Sequence, residues 1–527
     1  MLKIQQTTPL TELDHLVFSR IVPQDHYLRQ VVSHVDFECF RPPLDEAYSH
    51  SGRPPIDPVR MLKIHFLGFH YKLSDRRVMV RAQTDIAFRW FLQLSMKDML
   101  PNHTSDTYFR QRIGEERFEK VFQAVVTQAR EHGLVKDRLR IKDATHIHTT
   151  AADVTPMMLV AQVRDRLLHA AKPFFAQWVA EQHTALETLR QTTLEFSDDQ
   201  RLTSRVEFLR DLATQLRKRV ADLPEDAEPN RLAMRKRLNN ALALVDKLLV
   251  DHWDPKAGDR LASGVDPDAR KGKHGGFFTG YLLDIAIDSD SEIITGINVL
   301  PANGAEAADA VTLIEKEEKV QGNDVEGLSI DGAGFNGPVL RELTDPNGLN
   351  LDVTVPPPEM QSRVTFGPER FTLTVINKNV SELRCPNGQT TCKRNKHKHS
   401  DRYEFAASQC SKCPLRKECL EKPESKRGRT VIKNDYEVEY ERVKLKATTP
   451  QYAVVRREHG KVERKLGELA RHHGNRLARY RGIVKTLVQS LLTALVVNVK
   501  RIVKLMGAKN WEMANSGQPV RAELAAG

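Results

Sequence analysis

Cysteine is scarce in this chain, six among 527 residues, which excludes the disulfide scaffold of a small secreted protein. Long apolar runs are missing as well. The longest without a charge, TLVQSLLTALVVNV between Lys485 and Lys500, has 14 residues, where a bilayer span needs about 20. The first residues, MLKIQQTTPLTELDH, lack the apolar block and small-residue cleavage site of a signal peptide, so a cytoplasmic location is expected. No repeat of solenoid length is present. An overwhelming charge of one sign is also absent: 80 Lys and Arg against 69 Asp and Glu leave +11, far from a histone-like tail protein. With 28% charged and 40% apolar residues, the chain can bury a substantial core, and disorder and low complexity are excluded. Its length is three to four times that of a typical domain, so several units are expected.

Residues 1 to about 130 read as helical. Asp57-Pro58 is an N-cap followed by proline at the first helical position, and Val59, Leu62, Phe66 and Phe69 form an apolar stripe. Leu73-Ser74-Asp75 opens a further segment, VMVRAQTDIAFRWFLQL, and HTSDTYFRQRIG leads into a helix ending near Gly133. At Arg138 the period changes to two, and LRIKDATHIHTT alternates like a strand. Residues 157–250 return to helical spacing. Ser197 with Gln200 makes a capping box, and two leucine-rich stripes around Pro224 and Pro229 predict an antiparallel helical hairpin. FFTGYLLDIAID and EIITGINVL then read as a β-hairpin turning at Ser289–Ser291. Ala305–Lys319 reads as a helix, VEGLSIDGAGF as a short buried strand, Val339–Leu343 as a helix and Leu349–Val355 as a strand. Residues 436–505 are helical, and the tail after Gly507 reads as poorly ordered. This alternation predicts an α/β core inside a helical frame.

Two aspartates stand where strand patterns end, after apolar and before small residues: Asp143 in LRIKDATHI and Asp331 in LSIDGAGF. A buried carboxylate is costly unless it is hydrogen-bonded, paired or bound to a cation, so both are metal-ligand candidates as well as ordinary cap or turn residues. A third acid, Glu463, lies in the helical stretch QYAVVRREHGKVERKLGELARHHGNRLARYRG. Between Lys426 and Lys504 stand 20 lysines and arginines against 7 acids. Basic density of this kind suits phosphate, or else a solvated helix laced with Glu/Arg pairs.

Five of the six cysteines fall between Cys385 and Cys419. Cys410-Ser-Lys-Cys413 has zinc-ligand spacing, followed by Cys419, with Cys385 and Cys392 upstream. A structural Zn²⁺ site in this Cys-rich segment is the leading reading. Cys392 is a further ligand candidate, as are His397 and His399. Free thiols or an iron–sulfur cluster are the alternatives.

These features together resemble a bacterial insertion-sequence transposase of the DDE class, a mobile-element enzyme of DNA recombination. The resembling stretches are RPPIDPVRMLKIHFLGFHYKLSDRRVMVRAQTDIAFRWFLQL with PNHTSDTYFRQRIG, SGVDPDARKGKHGGFFTGYLLDIAID, the cysteine segment, and KVERKLGELARHHGNRLARYRG with the apolar run after it. The resemblance implies an RNase H-like mixed-sheet catalytic core at 136–156, 268–356 and 436–506. Around it are expected a helical N-terminal domain at 1–135 for DNA-end recognition, the helical hairpin insert at 157–267, a Cys-rich zinc-binding insertion at 357–435, and a tail at 507–527. It implies Asp143, Asp331 and Glu463 as a triad holding Mg²⁺ or Mn²⁺, two ions about 3.5–4 Å apart, for cleavage at transposon ends and joining of the 3′-hydroxyl to target DNA. Arg456, Arg457, Lys465, Arg471 and Arg479 are implied phosphate contacts, with Arg110 and Arg112 at the terminal repeats. Double-stranded DNA is the implied partner, a homodimer the implied assembly, and the nucleoid the implied place of work. The sequence departs from the family around the glutamate: His459 and Ala470 stand where related enzymes carry arginine and lysine, which leaves Glu458 and Glu468 as substitutes. A catalytically degenerate DNA-binding derivative and a host nuclease of the same fold are the alternative readings.

Overall fold

A computed structural model describes residues 8–49, 54–224, 228–254, 256–273, 275–358, 365–376 and 381–515. Seven helices open the chain: α1 (Glu12–Ile21), α2 (Tyr27–His34), α3 (Arg41–Asp45), α4 (Pro58–His70), α5 (Asp75–Thr84), α6 (Ile86–Leu92) and α7 (Thr104–Glu131). Side-chain caps set several of their starts, and the one at Asp57 is the expected one. The Asp57 carboxylate accepts from the Val59 N–H ahead of Pro58, and the Ser74 hydroxyl from Arg77. The run from Asp75 to Leu92 was expected to be one helical segment and is two. The Asp85 side chain accepts from the Ala87 and Phe88 amides, so it caps α6 and closes α5 in extended backbone. Within α7, Gly114 takes a φ of 71° and kinks the helix.

The chain then builds one six-stranded sheet: β1 (Arg140–His148), β2 (Arg270–Lys273), β3 (Phe277–Asp288), β4 (Ile294–Pro301), β5 (Gly327–Ser329) and β6 (Asp352–Thr354). The central strand β1 runs antiparallel to β3 and parallel to β5, which is parallel to β6. Strand β3 is long enough to pair with β2 along its first residues and with β4 along the remainder. Between β1 and β2 lie α8 (Pro156–Ala171), α9 (Ala176–Thr192), α10 (Asp198–Ala221) and α11 (Pro229–Trp253). The insert is thus larger than a hairpin: α10 and α11 are the expected pair, in contact with one another, and α8 and α9 stand ahead of them. Its extra pair is divided at Pro173, which cannot continue α8, and the four share a core that includes Val163, Leu167, Leu209, Leu216 and Val245. Helix α12 (Glu306–Gln321) packs on β3 and β4, and it shares an apolar core with α13 (Gly337–Leu343), β5 and β6.

The cysteine segment folds into two small antiparallel sheets, β7 (Thr372–Val375) with β8 (Ser381–Arg384) and β9 (Thr390–Thr391), and β10 (Arg394–Lys396) with β11 (Ser400–Glu404) and β12 (Thr430–Asn434). Two short helices, α14 (Ala407–Ser411) and α15 (Arg416–Cys419), carry three of its cysteines or adjoin them. The chain ends on α16 (Glu437–Ala447), α17 (Pro450–His473) and α18 (Ile483–Asn515).

Helix α18 runs past Gly507, where the sequence reads as loose; 516–527 lie outside the described residues. It is also the one helix among the described residues long and apolar enough to cross a bilayer, and 72% of its apolar window is buried in the fold. It packs on α7, α4, α2 and β4, and the Asn498 side chain bonds both the amide and the carbonyl of Ile294 at 2.8 Å. A single apolar core joins α2–α7, one face of the sheet, α17 and α18, so the N-terminal helices are built onto the sheet rather than packed apart from it.

Candidate active site and nucleic-acid surface

Strand β1 presents two chemically opposite faces, because alternate side chains point to opposite sides. On one, Arg140 and Lys142 are buried. The Arg140 guanidinium meets Glu317 at 2.7 Å and Asp288 at 3.1 Å, all three with no exposed side-chain surface. Lys142 meets Asp284 at 2.8 Å and donates to the Glu306 carbonyl. These pairs tie β1 to β3 and α12, and fix the strand's position. Nothing in the alternating sequence marked them as internal.

Asp143 lies on the other face. It is the fourth residue of β1 rather than the strand's end that the sequence pattern suggests, because the pairing with β3 continues to His148. Its carboxylate accepts from the Ala144 amide at 2.8 Å. Burial is the main influence on it and, with the charge of Asp331, outweighs that bond, pushing the group up to about 6. The register explains the proximity. Ile141 is opposite Ser329 in the parallel pair, which brings Asp331, just past β5, level with Asp143. Asp331 caps a short 3₁₀ turn, accepting from Ala333 at 3.2 Å. Whereas Asp284 and Asp288 are ion-paired, neither Asp143 nor Asp331 has an ion-pair partner among the described residues.

Helix α17 crosses this face. Near its start, Arg456 donates to the Ile330 carbonyl at 3.0 Å, and the His459 ring bonds the Ser329 hydroxyl at 3.1 Å. Burial first, then the Arg456 charge, pull His459 down to about 4, so the ring is neutral at pH 7. Beyond the far end of α17, the His148 amide donates to the Arg476 carbonyl, and Arg476 donates to the Thr145 hydroxyl at 2.9 Å. Glu463 lies seven residues after Arg456 and so on the same helix face; it is exposed, and among the described residues it is not gathered with Asp143 and Asp331 into a metal-binding set. The two substitute acids are occupied elsewhere. Glu458 pairs with Arg138 and Lys461. Glu468 pairs with Lys465 at 3.1 Å and Lys500 at 2.7 Å, and despite burial these cations draw it down to about 2.

The basic candidates divide in the same way. Arg112, Arg457 and Arg471 are exposed. Arg110 is paired with Asp75, bonded to His65 and stacked 4.7 Å over the Tyr480 ring. Lys465 is buried against Glu468, and Arg479 is stacked 4.4 Å over Phe69 while donating to Leu73. These three are engaged inside the fold. Arg456 is half-buried, and Arg476, which the sequence reading left out of the contact set, is exposed at the end of β1.

Four of the five clustered cysteines, Cys385, Cys410, Cys413 and Cys419, line one cavity of about 20 Å³ beside Phe371 and Phe405. The Arg429 amide points at the Cys410 sulfur at 3.4 Å. Burial pushes the Cys419 thiol up, and the other three cysteines add to the rise. Cys392 is exposed and outside the cavity, and neither His397 nor His399 lines it. The sulfurs surround the cavity without closing on it: among the described residues no group of three or more His, Cys, Asp or Glu is drawn together as a metal-binding set.

Two family models match the chain, a transposase domain (DUF772) over residues 16–112 and a transposase DDE domain over residues 384–503. The first spans α1 to the start of α7, and the second includes Glu463, the cavity cysteines and most of α18. Asp143 and Asp331 lie between the matched segments. No curated protein and no solved structure matches the chain. Two transposase domains in this order, the second of the DDE type, are those of an insertion-sequence DDE transposase.

Proposed function

We propose that the protein cleaves transposon ends and joins the freed 3′-hydroxyl to target DNA, with Asp143, Asp331 and Glu463 as the catalytic acids of an RNase H-like core. The observation that carries this reading is the Asp143–Asp331 pair, two unpaired carboxylates near enough for one to raise the other, at adjacent parallel strands. The sheet order supports the core assignment: three antiparallel strands, β4, β3 and β1, continue into the parallel β5 and β6. Hard oxygen donors without a cationic partner fit Mg²⁺ or Mn²⁺. Ions held there supply activation of water or a 3′-hydroxyl and stabilisation of the leaving oxygen.

The chain's own groups do the rest. The pairs beneath β1 keep Asp143 in place, Arg456 and His459 fasten α17 to β5, and Arg112, Arg457, Arg471 and Arg476 hold phosphates without reading bases. Neutral His459 makes a positioning contact where related enzymes carry an arginine. The four cavity cysteines would close around a structural Zn²⁺, whose tetrahedral thiolate set their number and spacing fit. Two transposon ends held together call for two copies of the chain, working on DNA in the bacterial cytoplasm.

The test supplies purified protein with DNA carrying the sequences that flank its gene, plus Mg²⁺. Nicking at the ends by the wild type, lost in Asp143→Ala, Asp331→Ala and Glu463→Ala with binding retained, is the expected result. Specific binding by the wild type without any nicking would instead identify a degenerate DNA-binding derivative. Cleavage without joining, indifferent to the ends, would identify a nuclease.

A further inference from the structure

The β2–β3 hairpin carries an aromatic side chain with no packing role. Phe277 is 85% exposed, the highest value among the exposed large apolar residues of the fold. A lone exposed apolar residue needs no explanation, but the surroundings of this one are specific. Lys271 and Lys273 are exposed beside it, and the Lys273 ammonium lies 5.9 Å from the ring centroid.

The register places all three on the face of the sheet that holds Asp143. Directly opposed residues of antiparallel strands share a face, and Asp143 is opposite Ile285, Thr145 opposite Leu283, and Ile147 opposite Tyr281. Two-residue steps along β3 continue to Thr279 and Phe277, which are opposite Lys271 and Lys273. The eight residue steps from Ile285 to Phe277 span about 27 Å, roughly eight base pairs of duplex at about 3.4 Å each.

The hairpin's base is held firmly. Gly272 packs directly on the Ala302 backbone and Gly280 on the Ile147 carbonyl, each too close for a Cβ. The Thr279 hydroxyl donates to Asp153 at 2.7 Å. An exposed ring on a fixed support, with Lys273 opposite it and Lys271 two residues further along the same face, is the arrangement that stacks a nucleobase and holds the adjoining phosphates.

We propose that the β2–β3 hairpin is a base-stacking element for the DNA leaving the active site, with Phe277 against an unpaired base and Lys271 and Lys273 on its flanking phosphates. This rests on the transposase reading for the path of the DNA. The test measures fluorescence anisotropy of the full-length protein on a duplex with an oligothymidine tail and on the same duplex without one. The wild type is expected to prefer the tailed DNA about tenfold. Phe277→Leu, which keeps apolarity but removes the ring, loses the preference, and Phe277→Trp keeps it. Lys271→Ala with Lys273→Ala weakens binding of the tailed DNA and lowers its salt slope by about 1.4. A 2-aminopurine in the tail is quenched by the wild type and not by Phe277→Leu. Equal tail preference in wild type and Phe277→Leu, or an unquenched probe, overturns the proposal. End cleavage measured alongside separates the two readings. Cleavage with ring-independent tail binding sinks only the hairpin's role, and ring-dependent tail binding without cleavage sinks only the enzyme.

Discussion

Replacing Asp143 by asparagine is expected to stabilise the metal-free protein, and to do so only where Asp143 would be ionised. The group titrates near 6 in the fold, against about 3.9 in an unfolded chain. Because the folded value is the higher one, the folded state holds the proton more tightly. Wild-type stability therefore falls as pH rises through the window from about 4 to 6. Each unit is worth about 1.4 kcal/mol, so an ionised Asp143 costs the fold about 3 kcal/mol above about pH 7. The substituted amide keeps the shape and carries no charge, so Asp143→Asn recovers most of that amount at about pH 8 and about a third of it by about pH 4.5.

Urea denaturation of both proteins at the two pH values, in chelator, reads the difference directly. Mg²⁺ then reverses the order. At about 100 times its dissociation constant it adds about 2.7 kcal/mol to a protein that binds it only when folded, and the asparagine variant gains much less. A variant no more stable than wild type at about pH 8, or a gap of the same size at both pH values, would refute the assignment of Asp143 as a carboxylate strained for want of a cation.

Three further outcomes follow from contacts in and around α17 and β1, and a fourth from the cysteine cavity. Glu463→Gln is expected to abolish cleavage and leave the urea midpoint unchanged, because the side chain is exposed. Glu468→Gln costs about 2–3 kcal/mol above about pH 5, a loss that fades as pH falls toward 2, since the native group is held at about 2 by Lys465 and Lys500. Arg140→Met leaves Glu317 and Asp288 buried with a cation removed, and denaturation should show a loss of about 3–5 kcal/mol. Cys413→Ser is expected to remove bound zinc measured by mass spectrometry, whereas Cys392→Ser, outside the cavity, leaves the metal content at one per chain; a wild type containing no zinc would exclude the metal.

Local chemistry made much of the fold legible. The caps at Asp57 and Ser197, the alternation in β1 and the β3–β4 hairpin all act within a few residues, and all appear where the pattern puts them. Two local signals were present but outweighed. Asp85 interrupts an apolar run that reads as continuous, and Pro173 separates α8 from α9, a pair ahead of the hairpin that the leucine spacing predicts at α10 and α11. What could not be read were the pairings between distant segments. Arg140 and Lys142 alternate with apolar residues like solvent-facing positions of a strand, yet they find Glu317 and Asp284 far along the chain, on α12 and β3. Arg110, in a helix that reads as a DNA contact, finds Asp75 and Tyr480.

The same distinction alters the meaning of the basic surplus between Lys426 and Lys504. Counted as sequence, it marks a phosphate-binding surface. In the fold, Lys461, Lys465 and Lys500 are committed to Glu458 and Glu468, while Arg456 and Arg479 donate to backbone carbonyls. A carboxylate already neutralised by lysine is a poor ligand for a divalent ion, because the incoming charge must displace one that is in place. Of the three glutamates on α17, Glu463 alone has no ion-pair partner among the described residues, and it shares its helix face with the arginine that reaches β5 next to Asp331. The cations thus do more than attract DNA. By occupying Glu458 and Glu468 they leave Glu463 as the α17 acid that the proposed triad requires beside Asp143 and Asp331. Among the described residues no three such groups are gathered as a metal-binding set, so bound ions would have to draw Glu463 in.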